Sequence, residues 1–476
     1  MRQNSKFIRK QNGFCHRDGR NRYDPHRSSG GVEYGADRTA GILGREIVHR
    51  LGNNPDKWST IYAISRSKKE DFPSSVKHTF ADLQGSPESL AKDLQGVKAE
   101  YLFFAAYLQR DSEQENWNVN GDMLQNFLAA LEKTGVASTL KRIVLVTGAK
   151  HYGVHLGPVK NPVEETDKWL TDSAFPPNFY YRQQDILKSF CQKNSNVSWT
   201  VTYPNDVIGL AKGNFMNFAT SVGVYVAICK ELGEELVFPG SEVLYTGFDT
   251  YTDSRLHAEF CDWAATEPRA ANENFNVMNG DVQSWQTLWP LLAKKFGVKL
   301  KTDQFGGEHR MKSEAWMNET APISLYEKEQ GLKGKIGPGK IQQTVDLAQW
   351  SKQEKVKNAW AKLAEREGLD KDVLDKATWA FLSMVLGRNY DIILSMSKAR
   401  SMGWTSCVSH LLLCSEGIEL IRFLGITTRG IVCRILWMRW RTRRFCPRRA
   451  SWIALGESGK AKSVEAIRQE CALIGR

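Results

Sequence analysis

Two stretches of the chain carry side chains suited to chemistry on a carbonyl oxygen. Thr147-Gly148-Ala149-Lys150-His151-Tyr152 follows directly on the apolar run Arg142 to Thr147, and Pro177-Asn178-Phe179-Tyr180-Tyr181-Arg182-Gln183-Gln184-Asp185 then sets two phenols side by side. Adding a hydride to a ketone or an enone pushes negative charge onto oxygen, and a positioned donor must stabilise it; such a donor contributes about 2.7–4 kcal/mol. A phenol can be that donor. A nearby ammonium adds positive potential and lowers the phenol's ordinary pKa of about 10. Residue types alone leave Tyr180 and Tyr181 equal candidates, and packing at a helix start is the plain structural alternative for either.

A second set of residues could hold a phosphate. Gly41-Ile42-Leu43-Gly44 opens an amphipathic run and Gly35 precedes it. Glycines let the backbone approach a pyrophosphate, and the free N–H groups of a helix N-terminus bind it. The spacing departs from G-x-x-G-x-x-G, because Ala36 to Ala40 add three residues and only Val32-Glu33-Tyr34 remains as a preceding strand. Ser65-Arg66-Ser67-Lys68-Lys69 lies about twenty residues beyond the glycines, where an acidic residue would bind the ribose of NAD. Hydroxyls and a fixed cation suit the extra phosphate of NADP instead, so NADP(H) is the expected cofactor. A solvated charge run is the alternative reading of this segment.

These groups need elements to position them. Ile42 to Leu51 has helical apolar spacing, Thr60 to Ile64 and Tyr101 to Ala106 read as buried strands, and Gly121 to Leu131 reads as a helix. Arg142 to Thr147 and Ser198 to Tyr203 are further strands, with a helix beginning near Tyr181. Strands alternating with helices predict an α/β fold, a Rossmann-type doubly wound parallel sheet. After about Gly297 the texture turns to charged helices, Gln349 to Glu367 and Asp372 to Leu386, which predicts a smaller, mostly helical substrate-side region. The expected organisation is a basic, disordered leader over 1–31, an NADP-binding Rossmann domain over 32–297 with parts of the substrate pocket, a helical region over 298–405, and a poorly ordered basic tail rich in Cys, Arg and Trp over 406–476.

The motifs TGAKHY and NFYYRQQD make the resemblance specific. The chain resembles the progesterone 5β-reductase/iridoid synthase (PRISE-like) family of atypical short-chain dehydrogenases within the extended, NAD-dependent epimerase/dehydratase superfamily, known for TGxKHY and NFYYxxED; Gln184 stands for the usual Glu. YPNDVIG (203–209), Asn214 to Asn217, Asn276 to Asp281 and Asp391 to Trp404 extend the likeness over about 35–405. Typical short-chain dehydrogenases place Lys four residues after Tyr, whereas this family supplies it from the TGxKHY loop. The resemblance therefore implies Tyr180 and Lys150 as the catalytic pair. It also implies cofactor contacts at Asp82 and Leu83 on the adenine side, and at Ala106, Tyr107, Val146, Val207, Asn214, Phe215 and Met216. Tyr203 stands where plant relatives have Arg, and Ala106-Tyr107 replaces their Thr-Trp, which leaves the substrate open.

Charge and cysteine separate the ends from the body. The chain has 476 residues and a net charge of +12. Residues 1–31 hold eight Lys/Arg against Asp18 and Asp24, and 406–476 hold thirteen against five Asp/Glu, leaving 44 basic and 46 acidic residues between. The body thus gives no reason to expect nucleic acid as a partner. Only Cys191, Cys229 and Cys261 lie between the ends, there is no CxxC, and no spacing suggests a metal, so a reduced cytoplasmic compartment fits. The leader lacks the apolar core of a signal peptide, and no run is long and apolar enough to span a bilayer. The Arg/Trp-rich tail could pass for a nucleic-acid or membrane-surface patch, but leader and tail together read as segments without an evolved function, as an imperfect gene model would produce. The expected activity is NADPH-dependent reduction of an activated C=C or C=O bond in a small apolar carbonyl compound of secondary metabolism, and a homodimer is compatible with it. A nucleotide-sugar epimerase or dehydratase on the same fold, and a non-catalytic NADP-binding sensor or scaffold, are the alternatives.

Overall fold

The computed structural model describes residues 5–9 (backbone only), 41–66, 72–209, 217–307 and 313–408. In chain order the elements are β1 (Ser5–Arg9), α1 (Ile42–Gly52), β2 (Thr60–Ser65), β3 (Val76–Phe80), α2 (Pro87–Asp93), β4 (Tyr101–Phe104), α3 (Glu113–Lys133), β5 (Arg142–Val146), α4 (Phe179–Lys193) and β6 (Ser198–Tyr203). There follow β7 (Val207–Ile208), α5 (Phe218–Leu232), α6 (Glu242–Thr246), β8 (Thr252–Asp253), α7 (Ser254–Thr266), β9 (Glu273–Asn276) and α8 (Trp285–Phe296). The last part holds the antiparallel pair β10 (Ser313–Trp316) and β11 (Lys340–Gln343), then α9 (Leu347–Trp350), α10 (Glu354–Glu367), α11 (Val373–Lys376), α12 (Trp379–Gly387) and α13 (Ser397–Ser401).

Seven parallel strands form one sheet in the order β3-β2-β1-β4-β5-β6-β9. This is the doubly wound order, which reverses direction of travel between β1 and β4 and opens a crevice outside the carboxyl ends there. Side chains alternate across the sheet, so each strand feeds two cores. On one face Phe103, Val144 and Val146 pack with Ile47, Val48 and Leu51 of α1 and Cys261 and Ala265 of α7. On the other, Leu102, Phe104, Ile143 and Leu145 meet Leu90 of α2, Leu124, Phe127 and Leu131 of α3, and Leu187 of α4. Full burial of each such Leu, Ile or Phe stabilises the fold by about 1.5–3 kcal/mol.

Two sequence expectations change here. The disordered leader does not hold at Ser5–Arg9, which pairs in register with β2 on one side and β4 on the other and supplies the central first strand. SKFIR has two apolar residues beside Lys6, Arg9 and Lys10, so its composition hides a role that strand pairing confers. The segment Val32 to Tyr34, read as a residual first strand, lies outside the described residues. The region after 298 is not helical throughout, since β10 and β11 interrupt it, and the two long helices expected there are each broken, at 351–353 and 377–378. The leader apart from Ser5–Arg9, and the tail beyond Val408, lie outside the described residues; Ser406 and Val408 still bond the body, through Glu259 Oε1 at 3.1 Å and the Asn279 carbonyl at 2.9 Å. No helix among the described residues is long and apolar enough to cross a membrane.

Candidate active site

The carboxyl ends of β4 and β5 lead into two loops, each held by side-chain bonds from a neighbouring element. After β4, buried Asn120 of α3 clamps Leu108 in both directions, accepting its N–H at 2.8 Å and donating to its carbonyl at 2.7 Å. Asn116 likewise accepts the Arg110 N–H at 2.8 Å. After β5, the Thr147 and Ala149 amides donate to the Thr202 and Pro204 carbonyls at 3.0 and 2.8 Å. Asn178, the N-cap of α4, joins that loop to the tyrosines: its Oδ1 accepts the Tyr180 N–H at 3.1 Å and its Nδ2 donates to the Lys150 carbonyl at 2.7 Å. One amide thus ties the Lys150 and Tyr180 backbones together.

The two phenols have different surroundings. The Tyr181 hydroxyl donates to the His151 carbonyl at 2.7 Å and accepts the Leu170 N–H at 2.9 Å, and burial pushes it up to about 12. The Tyr180 hydroxyl has no hydrogen-bond partner among the described residues and lies over Gly148, where an added Cβ would stand 3.2 Å from it. Burial, and then the Glu113 carboxylate, raise the Tyr180 phenol above the usual tyrosine range. Its ring packs on Phe179 at 4.2 Å, and Phe179 stacks on Tyr107 at 5.2 Å. The Lys150 ammonium is 3.5 Å from Glu113 Oε1, with about a quarter of each side chain exposed. His155, five residues on, is held well below the usual histidine range by burial and by the Lys150 charge, so it stays neutral.

Behind the tyrosines lies a buried neutral network. His151 stacks on Tyr203 with ring centroids 4.3 Å apart, and Gln184 bridges them: its Nε2 is 3.2 Å from His151 Nδ1 and its Oε1 accepts the Tyr203 hydroxyl at 2.8 Å. Burial, and then the Lys188 charge, lower His151 to about 3.

The other expected residues fall as follows. Gly41 caps α1 without a side-chain bond, no acidic residue stands in the first turn, and Ile42, Leu43 and Gly44 are buried there. Ser65 ends β2 with its hydroxyl 2.7 Å from His78 Nε2, and half-buried Arg66 follows. Exposed Asp82 accepts the Gln84 N–H at 3.1 Å beside buried Leu83. Ala106, Tyr107 and Val146 line the carboxyl edge of β4 and β5, and Val207 lies in β7, paired with β8. Gly35, Ser67, Asn214, Phe215 and Met216 lie outside the described residues. Among the described residues no group of His, Cys, Asp or Glu is placed to hold a metal ion.

A model of the PRISE-like Rossmann-fold domain matches residues 76–350. The chain belongs to the PRISE-like family. Relatives span most of it. An uncharacterized protein of Schizosaccharomyces pombe is 42% identical over 77% of this chain and 90% of its own length. The short chain dehydrogenase gsfE of Penicillium aethiopicum is 30% identical over 81% and 96%. The 3-oxo-Delta(4,5)-steroid 5-beta-reductase of Arabidopsis thaliana is 30% identical over 76% and 85%. The PRISE-like chain is thus related to oxidoreductases of the short-chain dehydrogenase type.

One residue of this PRISE-like site escaped the sequence reading. Glu113 opens α3, expected only from Gly121 because Trp117 and Val119 are the sole apolar residues among Glu113 to Asn120. The signal was present as Ser112-x-x-Glu115: the Ser112 hydroxyl accepts the Glu115 N–H and the Glu115 carboxylate accepts the Ser112 N–H, both at 3.2 Å. That capping box fixes the start of α3 and so brings Glu113 to Lys150.

Proposed function

We propose that this PRISE-like chain is an NADPH-dependent reductase of an activated C=C or C=O bond in a small, apolar carbonyl compound, with Tyr180 and Lys150 as its catalytic pair. One observation carries the reading: of two adjacent phenols one is spent on backbone groups, while the other is left to face the TGAKHY loop that bears the lysine. The residues present suit a dinucleotide. The first amides of α1 have no side-chain cap and the first turn holds no acidic residue, which suits a pyrophosphate, and the crevice lies at the reversal of strand order. Arg66 is the described cation at the end of β2 that would meet a 2′-phosphate.

Reduced nicotinamide, when bound, supplies a hydride. With that hydride on the β-carbon of an enone or on the carbonyl carbon, negative charge would collect on the substrate oxygen. Tyr180, kept protonated by its burial, donates a hydrogen bond to that oxygen. For a C=O substrate the phenol proton passes to the alkoxide; for an enone the α-carbon takes a proton from solvent. Lys150 offsets the negative charge and would bind the ribose hydroxyls. The apolar walls, Tyr107 and Phe179, exclude water and favour a substrate without charge.

The test is a panel of enones, ketones and aldehydes with NADPH, following cofactor oxidation and a product heavier by two hydrogens. Equal use of NADH would defeat the NADP(H) assignment. Tight NADPH binding with no substrate reduced would favour the sensor reading instead.

A further inference from the structure

Lys150 has its backbone fixed by Asn178, but a flexible four-carbon stem separates that anchor from the ammonium. What sets the ammonium is Glu113. Its carboxylate is not needed by the helix cap, which Ser112 and Glu115 complete between themselves. It is oriented independently of the lysine: Glu113 Oε2 accepts the Asn116 side-chain N–H at 3.3 Å, and Asn116 is buried with its own oxygen held by the Arg110 amide. The other oxygen is then 3.5 Å from Lys150 Nζ.

We infer that Glu113 is a positioning residue whose carboxylate keeps the Lys150 ammonium paired and charged, a role that rests on the reductase reading. Glu113 from α3 and His155 from its own loop face Lys150, and the same carboxylate acts on Tyr180 of α4 and on Tyr107 of the loop after β4. Glu113 is the carboxylate among these groups, and an opposite charge at this distance favours the ammonium form. The same negative charge raises the Tyr180 phenol, so Glu113 favours both a charged lysine and a protonated tyrosine, the states a reductase needs. The contact is long enough for the remaining ammonium N–H groups to bind a ribose.

The experiment is NADPH affinity and kcat/KM against pH for the full chain and for Glu113→Gln, Glu113→Asp and Lys150→Met. Glu113→Gln should leave affinity near neutral pH within about twofold but bring the alkaline loss of binding and of rate in by about one pH unit, the lower end of the effect of an opposite charge at this distance. Glu113→Asp should return the limb toward its parental position, and Lys150→Met should remove it. A Glu113→Gln profile superposable on the parent, or lowered by one factor at every pH, would overturn the role. Parental NADPH binding without turnover of any carbonyl compound would count against the reductase reading alone, since the binding limb still reports on Glu113. A parent that binds no NADPH at any pH would overturn both.

Discussion

The Tyr203 hydroxyl donates to Gln184 Oε1 at 2.8 Å, so the two positions where the motif resemblance leads one to expect Glu and, as in plant relatives, Arg are in contact. Both side chains are buried, and a neutral pair there escapes the desolvation that a carboxylate and a guanidinium would suffer. Gln184→Glu alone should place an unpaired carboxylate in this pocket and cost about 3–5 kcal/mol near neutral pH. Tyr203→Arg should be comparably harmful alone, and the double variant should recover much of the loss. Denaturant titration of the four proteins checks this; losses that simply add would show that the two departures are independent.

Tyr180 and Tyr181 should respond in opposite ways to loss of the hydroxyl. Tyr181→Phe leaves the His151 carbonyl and the Leu170 amide without their partner, at a cost of about 1–3 kcal/mol in stability, with NADPH affinity kept. Tyr180→Phe removes no bond to a described residue, so stability should hold while kcat falls about 10²–10³-fold, the usual loss for one oxyanion donor. Turnover at the parental rate in Tyr180→Phe would refute the catalytic assignment.

Legibility in the sequence followed how far each feature depends on its own residues. Ser198–Tyr203 was read with both its ends, because Trp, Thr, Val and Tyr in succession suit a pleated strand in any context. Ser5–Arg9 was missed because its place comes from β2 and β4 on either side. The sheet and its carboxyl edge were accessible from alternating apolar runs, and the motif loops from their glycine and proline punctuation. The choice between the two tyrosines was not, because it rests on Leu170 and His151, eleven and thirty residues from Tyr181. Glu113 was hidden for a related reason: apolar spacing marks the packed middle of α3, whereas its start is set by a cap.

Two buried histidines should make the fold acid-sensitive. Burial lowers His151 and His257 to about 3, so at pH below the ordinary value of 6.5 the unfolded chain takes up a proton that the folded chain refuses. Stability is then complete above about pH 6.5 and falls as pH drops toward 3, by up to about 1.4 kcal/mol per unit for each histidine. His151→Gln should shift the absolute stability but also flatten this slope by about one proton between pH 6.5 and 5. Parallel curves for parent and variant would mean that His151 is not held neutral in the folded state.

Gly209 links the YPNDVIG segment to the expected phosphate-binding end of α1. A Cβ there would press on Ile42 Cγ2, at the first residue of α1, and on Ser254, its Cβ 2.7 Å away at the start of α7. Neither neighbour can yield freely, since Ile42 is buried at a helix start and Ser254 at another. Gly209→Ala should therefore cost about 1–3 kcal/mol by overpacking and displace the amides of Ile42 and Leu43. NADPH affinity should fall about tenfold or more, while Gly337→Ala, where nothing stands within 4 Å of the added carbon, should bind as the parent does. Isothermal titration of the three proteins separates the outcomes: unchanged affinity in Gly209→Ala would mean that the start of α1 does not carry the cofactor.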